Sequence, residues 1–374
     1  MSAVSNAADA SHRDNPAKVS LASMVGSAVE SYDFFIYGTA SAAYFGTAFF
    51  HTDNKLVGVL ASFATLAVGF FFRPLGGYLA GHFGDRIGRK TVLNASLLLM
   101  GTATVLVGAL PTYAQAGIAA PLLLILLRIL QGIGFGAEWG GAVLMAVEHA
   151  PPRRRGWFGA VPQIGIPAGL LLANGTFLIS EQLFTGNWVW RAPFLLSIVM
   201  VVVGLFIRLR IEESPEFTEM KERGEIRKTP ALDVLRRDWR LILRITALRL
   251  AETGGYYIAT SFVLSYVGLA ELGTSNDVLL GTVIGSAVGF PLFLLVNTGV
   301  TALIVTAVVL ALVLSHDPIF AVESSWFSEQ FPREVRSSGI SLGYNLASLV
   351  AGLLPFAATA LYGWIGWAGP AALF

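Results

Sequence analysis

Apolar runs of similar length follow one another along the chain, separated by polar or Gly/Pro-containing breaks. Runs with few or no charges predict membrane-spanning helices near residues 20–46, 55–80, 91–110, 120–147, 157–180, 192–211, 241–268, 278–296, 299–328 and 338–360. A short apolar stub ends at Phe374. Strands of a membrane barrel would alternate apolar and polar positions over about ten residues, and these runs do not. The expected fold is an all-α polytopic membrane protein.

Composition strengthens that expectation. Hydrophobic residues make up 55% and charged residues 13% of the 374 positions, and the mean hydropathy is +0.66. A water-soluble domain of this size could not hide so much apolar surface. Residues 1–19 are polar and lack the apolar core of a signal peptide, so the first run is expected to remain as a span. Cysteine is absent, which excludes disulfides, thiolate nucleophiles and Cys-bound zinc. No G-x-x-x-x-G-K-S/T offers an ATP site, and no His/Glu spacing suits a metal. The basic clusters border spans, so nucleic acid is not expected as a partner. No cofactor, metal or enzymatic activity is expected.

Charge placement divides the chain. The stretch EESPEFTEMKERGEIRKTPALDVLRRDWR reads as a charged, part-helical linker over 212–240. It separates a six-helix bundle at 20–211 from a second bundle at 241–374, with residues 1–19 as a tail. Arg86, Arg89 and Lys90, then Arg153 to Arg155, then the cluster from Arg208 to Arg244 fall in every second connection, whereas the alternate connections hold Lys55 and Arg191. That bias puts the N-terminus and the linker in the cytoplasm. Glu148, Pro151 and Arg155 recur at the same offsets as Glu329, Pro332 and Arg336, the echo a duplicated bundle would leave.

One break is denser than a positive anchor requires. In GHFGDRIGRK, Gly81, Gly84 and Gly88 permit a tight turn, Asp85 can cap the next turn or face its cations, and Arg86, Arg89 and Lys90 sit at the membrane surface. This stretch resembles the G-x-x-x-D-R-x-G-R-K/R signature after the second helix of the major facilitator superfamily. ESYDFFIYG at 30–38, FRPLGG at 72–77 and RILQGIGFGAEWGGA at 128–142 resemble its metabolite:proton symporter branch. EESPEF at 212–217 and ALRLAETGGYYI at 247–258 are similar to the shikimate and proline/betaine carriers of that branch. The resemblance spans nearly the whole chain. It implies a two-bundle carrier in the inner (plasma) membrane that takes up a small polar metabolite with protons by alternating access. It also implies that Gly81, Asp85, Arg86, Gly88, Arg89 and Lys90 latch one bundle to the other on the cytoplasmic side. The expected partners are that metabolite, protons and the bilayer, with the chain a monomer.

Ionisable groups inside spans need a reason, because each costs several kcal/mol unless paired or wet. Glu30 and Asp33 share a face of the first span, and desolvation with mutual repulsion suits one of them to carry a proton. Either can instead pair with an arginine on a neighbouring helix. Arg128 and Glu138 stand near opposite ends of the fourth span; the resemblance implicates Arg128 in proton transfer, and Glu138 is a coupling carboxylate or half of an ion pair. The Gly132, Gly136 and Gly140 ladder on that span reads as close helix packing. Arg73 binds an anionic substrate or bridges to a carboxylate. Arg249 and Glu252 form either a local pair or the second bundle's share of a central site walled by Tyr256 and Tyr257. Glu323 and His316–Asp317 are lesser candidates.

The second half lacks its own copy of the latch. Asp33 precedes Glu148 by 115 positions, whereas Glu252 precedes Glu329 by 77, so the repeat falls short by about forty residues. The expected second bundle is therefore shortened, giving about ten spans instead of twelve. Three spans between the linker and PREVR at 332–336 would also put those cations outside, against the charge rule. A re-entrant stub around Pro291 or a lost segment would account for this. The expected function is proton symport of an organic acid such as shikimate or a dicarboxylate, or of proline or betaine. A proton-independent uniporter and a non-transporting sensor or decayed carrier are the alternatives.

Overall fold

The computed structural model describes residues 14–52, 54–257, 303, 323 and 325–365, and for 251–257 and 355 the backbone alone. The first six long helices are α1 (Pro16–Ala43), α2 (Lys55–Ile87), α3 (Arg89–Ala109), α4 (Ala119–His149), α5 (Gly165–Leu183) and α6 (Trp188–Leu209). Short helical turns at Pro152–Arg154, Arg155–Ala160 and Val161–Ile164 lead into α5. Two linker helices follow, α7 (Pro215–Glu222) and α8 (Pro230–Arg237), then α9 (Trp239–Tyr257), α10 (Arg336–Leu346) and α11 (Leu354–Ile365). Among the described residues, six helical stretches are long and apolar enough to cross a membrane: Lys55–Ile87, Arg89–Ala109, Ala119–His149, Pro152–Leu183, Trp188–Leu209 and Arg333–Ile365.

Local chemistry sets several of the ends. Asn15 accepts from Ala17 N at 2.9 Å ahead of Pro16, and Asn54 accepts from Leu56 N at 3.0 Å, so each caps a helix start. The turn between α2 and α3 is a single residue, Gly88, whose φ of 109° is open to glycine. α2 therefore runs seven residues beyond the expected end at 80. Gly81 and Gly84 lie inside it and serve close approach, not the turn. The expected single span 338–360 lies within the helical stretch Arg333–Ile365 but is interrupted by turns at Ala347 and at Gly352–Leu353, with a short helix Ser348–Ala351 between them.

The first six helices pack as α2 against α4, α1 against α5, and α3 against both α4 and α6. Outward faces carry Phe71, Leu98, Leu126, Val202 and Phe206, as a lipid solvent allows. The second half meets the first chiefly through α10, which lies on α2, α4 and α9. Trp139, Val143 and Val147 of α4 share one apolar cluster with Ile242, Ile245, Phe331 and Ile340. Arg333 and Arg336 lie at the same end as the linker, because both pair with Glu216 of α7. That segment and the linker thus share an end of the molecule, against the parity of three intervening spans. The expected span 278–296, the last part of 241–268 from 258 on, and most of 299–328, with Pro291, His316 and Asp317, lie outside the described residues.

Glycine makes the α2–α4 contact possible. A β-carbon on Gly132 would run into the backbone of Gly69, one on Gly136 into that of Arg73, and one on Gly76 into that of Ile133. Backbone cannot give way as a flexible side chain can, so one added methyl group forces the helices apart. Gly136→Ala is expected to destabilise the purified protein by about 1–3 kcal/mol. Gly175→Ala, where nothing lies within 4 Å, should change stability by less than about 0.5 kcal/mol. Thermal unfolding followed by size-exclusion chromatography compares the two.

Candidate functional site

The candidate residues collect in three groups, two inside the helices and one at the linker end. In the first, α1 presents Asp33 to α3 and α4. Thr104 Oγ1 lies 2.9 Å from Asp33 Oδ2 and donates to it, Gln131 Nε2 donates to Thr104 at 2.7 Å, and Arg128 Nη1 donates to Gln131 Oε1 at 3.0 Å. Asp33 and Arg128 are thus joined through two neutral side chains. Arg128 also lies 4.0 Å from the centre of the Tyr37 ring. Asp33 is 2% exposed, and its Oδ1 has no hydrogen-bond partner among the described residues.

About three turns nearer the linker end on α4, Glu138 does not reach Arg128. It is clasped by Arg208 of α6, both guanidinium nitrogens meeting its two oxygens, and Ser96 donates to its Oε2 at 3.1 Å. Arg208 was expected among the cations outside the membrane. It is buried, because α6 continues through Leu209 and helix side chains lean back toward the N-terminus, which carries this one into the bundle. Gly26 of α1 leaves the space the guanidinium fills. Glu30, 4% exposed, feels Glu138, Arg73, Arg208 and Asp33, yet among the described residues it accepts no hydrogen bond and no ion pair within 4 Å. Arg73 stacks 3.5 Å from the Phe135 ring centre and 3.9 Å from that of Phe70, with Phe34 at 5.5 Å.

The second group lies between the halves. Arg249 of α9 pairs with Glu323 at 3.1 Å and donates to the Tyr344 hydroxyl at 2.7 Å. This carboxylate partner is 74 positions on in the chain. Tyr344 stacks on Trp139 of α4 with ring centres 3.7 Å apart, and Trp139 donates to Gln163 at 3.3 Å. Asn345 donates to the Gly136 carbonyl at 2.8 Å. The side chains of Glu252, Tyr256 and Tyr257 lie outside the described residues.

The third group is built on GHFGDRIGRK. Asp85 does not cap the turn that follows it. It accepts from Ser337 N at 3.2 Å, Ser338 N at 2.9 Å and Ser338 Oγ at 2.8 Å, the start of α10 in the other half. A carboxylate in the last turn of α2 opposes that helix's dipole; aimed at the N-terminus of α10 it meets positive charge and free N–H groups. Arg89 lies 3.5 Å from both Asp85 and Glu148. Glu148 also faces Arg336 at 3.6 Å and accepts from Ser214. Glu216 draws in Arg155 at 2.9 Å, Arg333 at 3.4 Å and Arg336. Glu213 accepts from the N–H groups of Arg89 and Lys90, capping α3. Lys90 donates to the Leu209 carbonyl at 3.2 Å. Arg86 stays outside this network: it is exposed and lies 3.2 Å from His82.

Residues 19–243 match the family described as sugar (and other) transporter. The chain belongs to the major facilitator superfamily. It is similar to the inner membrane metabolite transport protein YhjE of Escherichia coli, 37% identical over 91% of this chain and 87% of that one. It is likewise similar to the shikimate transporter of the same organism, 36% identical over 92% and 87%. The solved structure of the proton:xylose symporter XylE bound to 6-bromo-6-deoxy-D-glucose matches with a TM-score of 0.69 over 91% of this chain and 87% of that one, at 16% identity, a likeness of fold. The chain is accordingly a membrane transporter of small molecules and not an enzyme.

Sequence reasoning missed Thr104, Gln131, Arg208, Trp139, Tyr344, Glu213 and Glu216 as members of these groups. Uncharged residues within spans carry no cost signal, and Glu213 and Glu216 blended into a charged linker. The latch of this superfamily member makes a direct prediction. A β-carbon on Gly84 would lie 3.5 Å from Ser337 Cβ, within disulfide range. With no native cysteine, Gly84→Cys with Ser337→Cys is expected to cross-link on oxidation. Adding Asp85→Asn removes a charged acceptor at about 1.5–3 kcal/mol and should lower the cross-linking rate about tenfold, as read by gel shift after cleavage in the linker.

Proposed function

We propose that this transporter imports a small organic acid of the shikimate kind by proton symport across the inner membrane, with its N-terminus and linker in the cytoplasm. Bundles at 20–211 and 241–374 rock about a central site and expose it to each side in turn. The observation that carries the reading is Asp33. It is a buried carboxylate with one oxygen unpartnered and the other on a relay through Thr104 and Gln131 to Arg128. A charge so placed is costly in hydrocarbon, so protonation favours one arrangement of the helices and release favours the other.

Arg249, with the Tyr344 hydroxyl beside it, is the anion-binding side of the site, and Arg73 in its ring of phenylalanines is a second cation within reach of the α1–α4 seam. A carboxylate substrate competes with Glu323 for Arg249, which ties occupancy of the site to the α4–α10 contact through Tyr344 and Trp139. Asp85, Arg89 and Glu148 close the cytoplasmic side. Buried where the halves meet, they need contribute only a few kcal/mol to shift the population.

Vesicles containing the purified chain should accumulate radiolabelled shikimate when the outside is acidic and lose that accumulation when the pH gradient is collapsed. Asp33→Asn is expected to abolish accumulation while shikimate binding persists. Uptake indifferent to the gradient would indicate a uniporter. Saturable uptake of proline or betaine with none of shikimate would move the substrate class to zwitterions, and absence of all three with intact folding would favour the non-transporting reading.

A further inference from the structure

One face of α1 carries Val19, Ser23, Gly26 and Glu30 at helical spacing, and it runs from the linker end into the bundle. At its outer end the four helices α1, α3, α4 and α6 enclose a cavity of about 20 Å³, bordered by Ser23, Lys90, Asn94, Met145, Arg208 and Ile211. That volume admits about one water molecule. Asn94 Oδ1 is buried beside it with no hydrogen-bond partner. At the inner end stands Glu30, buried and unpartnered among the described residues. Between the two, over Gly26, lies the Arg208 guanidinium, held by Glu138 and by the Leu93 carbonyl at 3.0 Å. The Arg208 guanidinium and this cavity thus lie along the α1 face between Glu30 and the linker end.

We propose that Glu30 is a second proton site, and that Arg208 is the positioning residue that governs release of its proton through the α1–α3–α4–α6 cavity, apart from the Asp33–Arg128 relay. This rests on the proton-symport reading above. The charged groups facing Glu30 are Asp33 on its own helix, Arg73 on α2, Glu138 on α4 and Arg208 on α6; Lys90 of α3 borders the cavity. In the release step the Glu30 carboxyl O–H breaks and its proton passes to a water in the cavity, then to solvent at the linker end. The carboxylate left behind is met by Arg208, which shares its guanidinium between Glu30 and Glu138. No oxidant or other reactant is required. A guanidinium already engaged by Glu138 cannot neutralise both acids fully, so Glu30 can be loaded again when the helices close.

Exchange of internal for external shikimate needs no proton release, whereas net uptake does, and the two separate this role from a structural one. In folded Arg208→Gln vesicles, gradient-driven net uptake should fall about tenfold or more while exchange stays within about twofold of wild type. Arg208→Lys, which keeps the charge, should recover part of the net rate. Asn94→Leu fills the cavity without touching the ion pair and should slow net uptake alone, which serves if Arg208→Gln does not fold. A readout that needs no substrate is pH-difference infrared spectroscopy of the protein in vesicles. A carboxyl band that disappears in Glu30→Gln should be lost on raising the pH of wild type and should persist over the same range in Arg208→Gln. Equal loss of exchange and net uptake in a folded variant, no band assignable to Glu30, or a band with wild-type titration in Arg208→Gln each overturns the proposal. If wild type takes up no shikimate yet the infrared pattern holds, the substrate reading fails and this one stands.

Discussion

A guanidinium or carboxylate placed in hydrocarbon costs several kcal/mol unless an opposite charge, a hydrogen bond or an aromatic face meets it. In this transporter, meeting that requirement decides how the helices face one another. Arg208 of α6 can be satisfied only if Glu138 of α4 and the Leu93 carbonyl of α3 point at it, so three helices are held in rotation by one side chain. Arg128 lies against the Tyr37 ring of α1 and is linked to Asp33 through Gln131 and Thr104. Room for both cations comes from missing side chains. A β-carbon on Gly26 would collide with Arg208, and one on Gly69 would lie 2.8 Å from Arg128 Nε.

The same chemistry acts differently at the linker end. Arg155 and Arg333, both bound to Glu216, keep 27% and 51% of their side-chain surface in water, so their pairs are cheap to break and remake. Asp85 joins the halves by pointing the negative end of α2 at the positive end of α10, and Glu148 and Glu216 each gather arginines from both sides of that junction. Buried pairs fix the helices of the first bundle, whereas the junction of the halves combines buried contacts of Asp85 and Glu148 with the wetter pairs of Arg155 and Arg333.

Much of this architecture is visible in the linear pattern, and the failures are physically specific. Lipid-spanning runs, the charged linker and the unusual density of GHFGDRIGRK follow from composition over short windows. Arg208 was misplaced because a window sees a cation near a span's end and not the direction in which the helix leans it. Gly81 and Gly84 suggested a turn because glycine suits turns and close packing equally; only Gly88 has the backbone angle of a turn. Arg249 beside Glu252 suggested a local pair, and no local window showed that Arg249 also meets Glu323, 74 positions on. Glu329 echoes Glu148 in sequence, but Glu148 is buried among arginines whereas Glu329 is exposed and makes no ion pair among the described residues.

By itself the sequence determined that the chain is helical, that lipid is its solvent, and that charge is concentrated at a few points where it must have a use. Hydropathy and the helical period are properties of neighbouring residues, and a linear pattern holds them completely. Tertiary structure alone decided the partners: Asp85 with Ser337 and Ser338, Glu138 with Arg208, Arg249 with Glu323 and Tyr344. Each of those choices depends on which faces of distant helices come within about 3 Å of one another. That is set by glycine contacts and side-chain direction summed over the whole bundle, and no local window contains the sum.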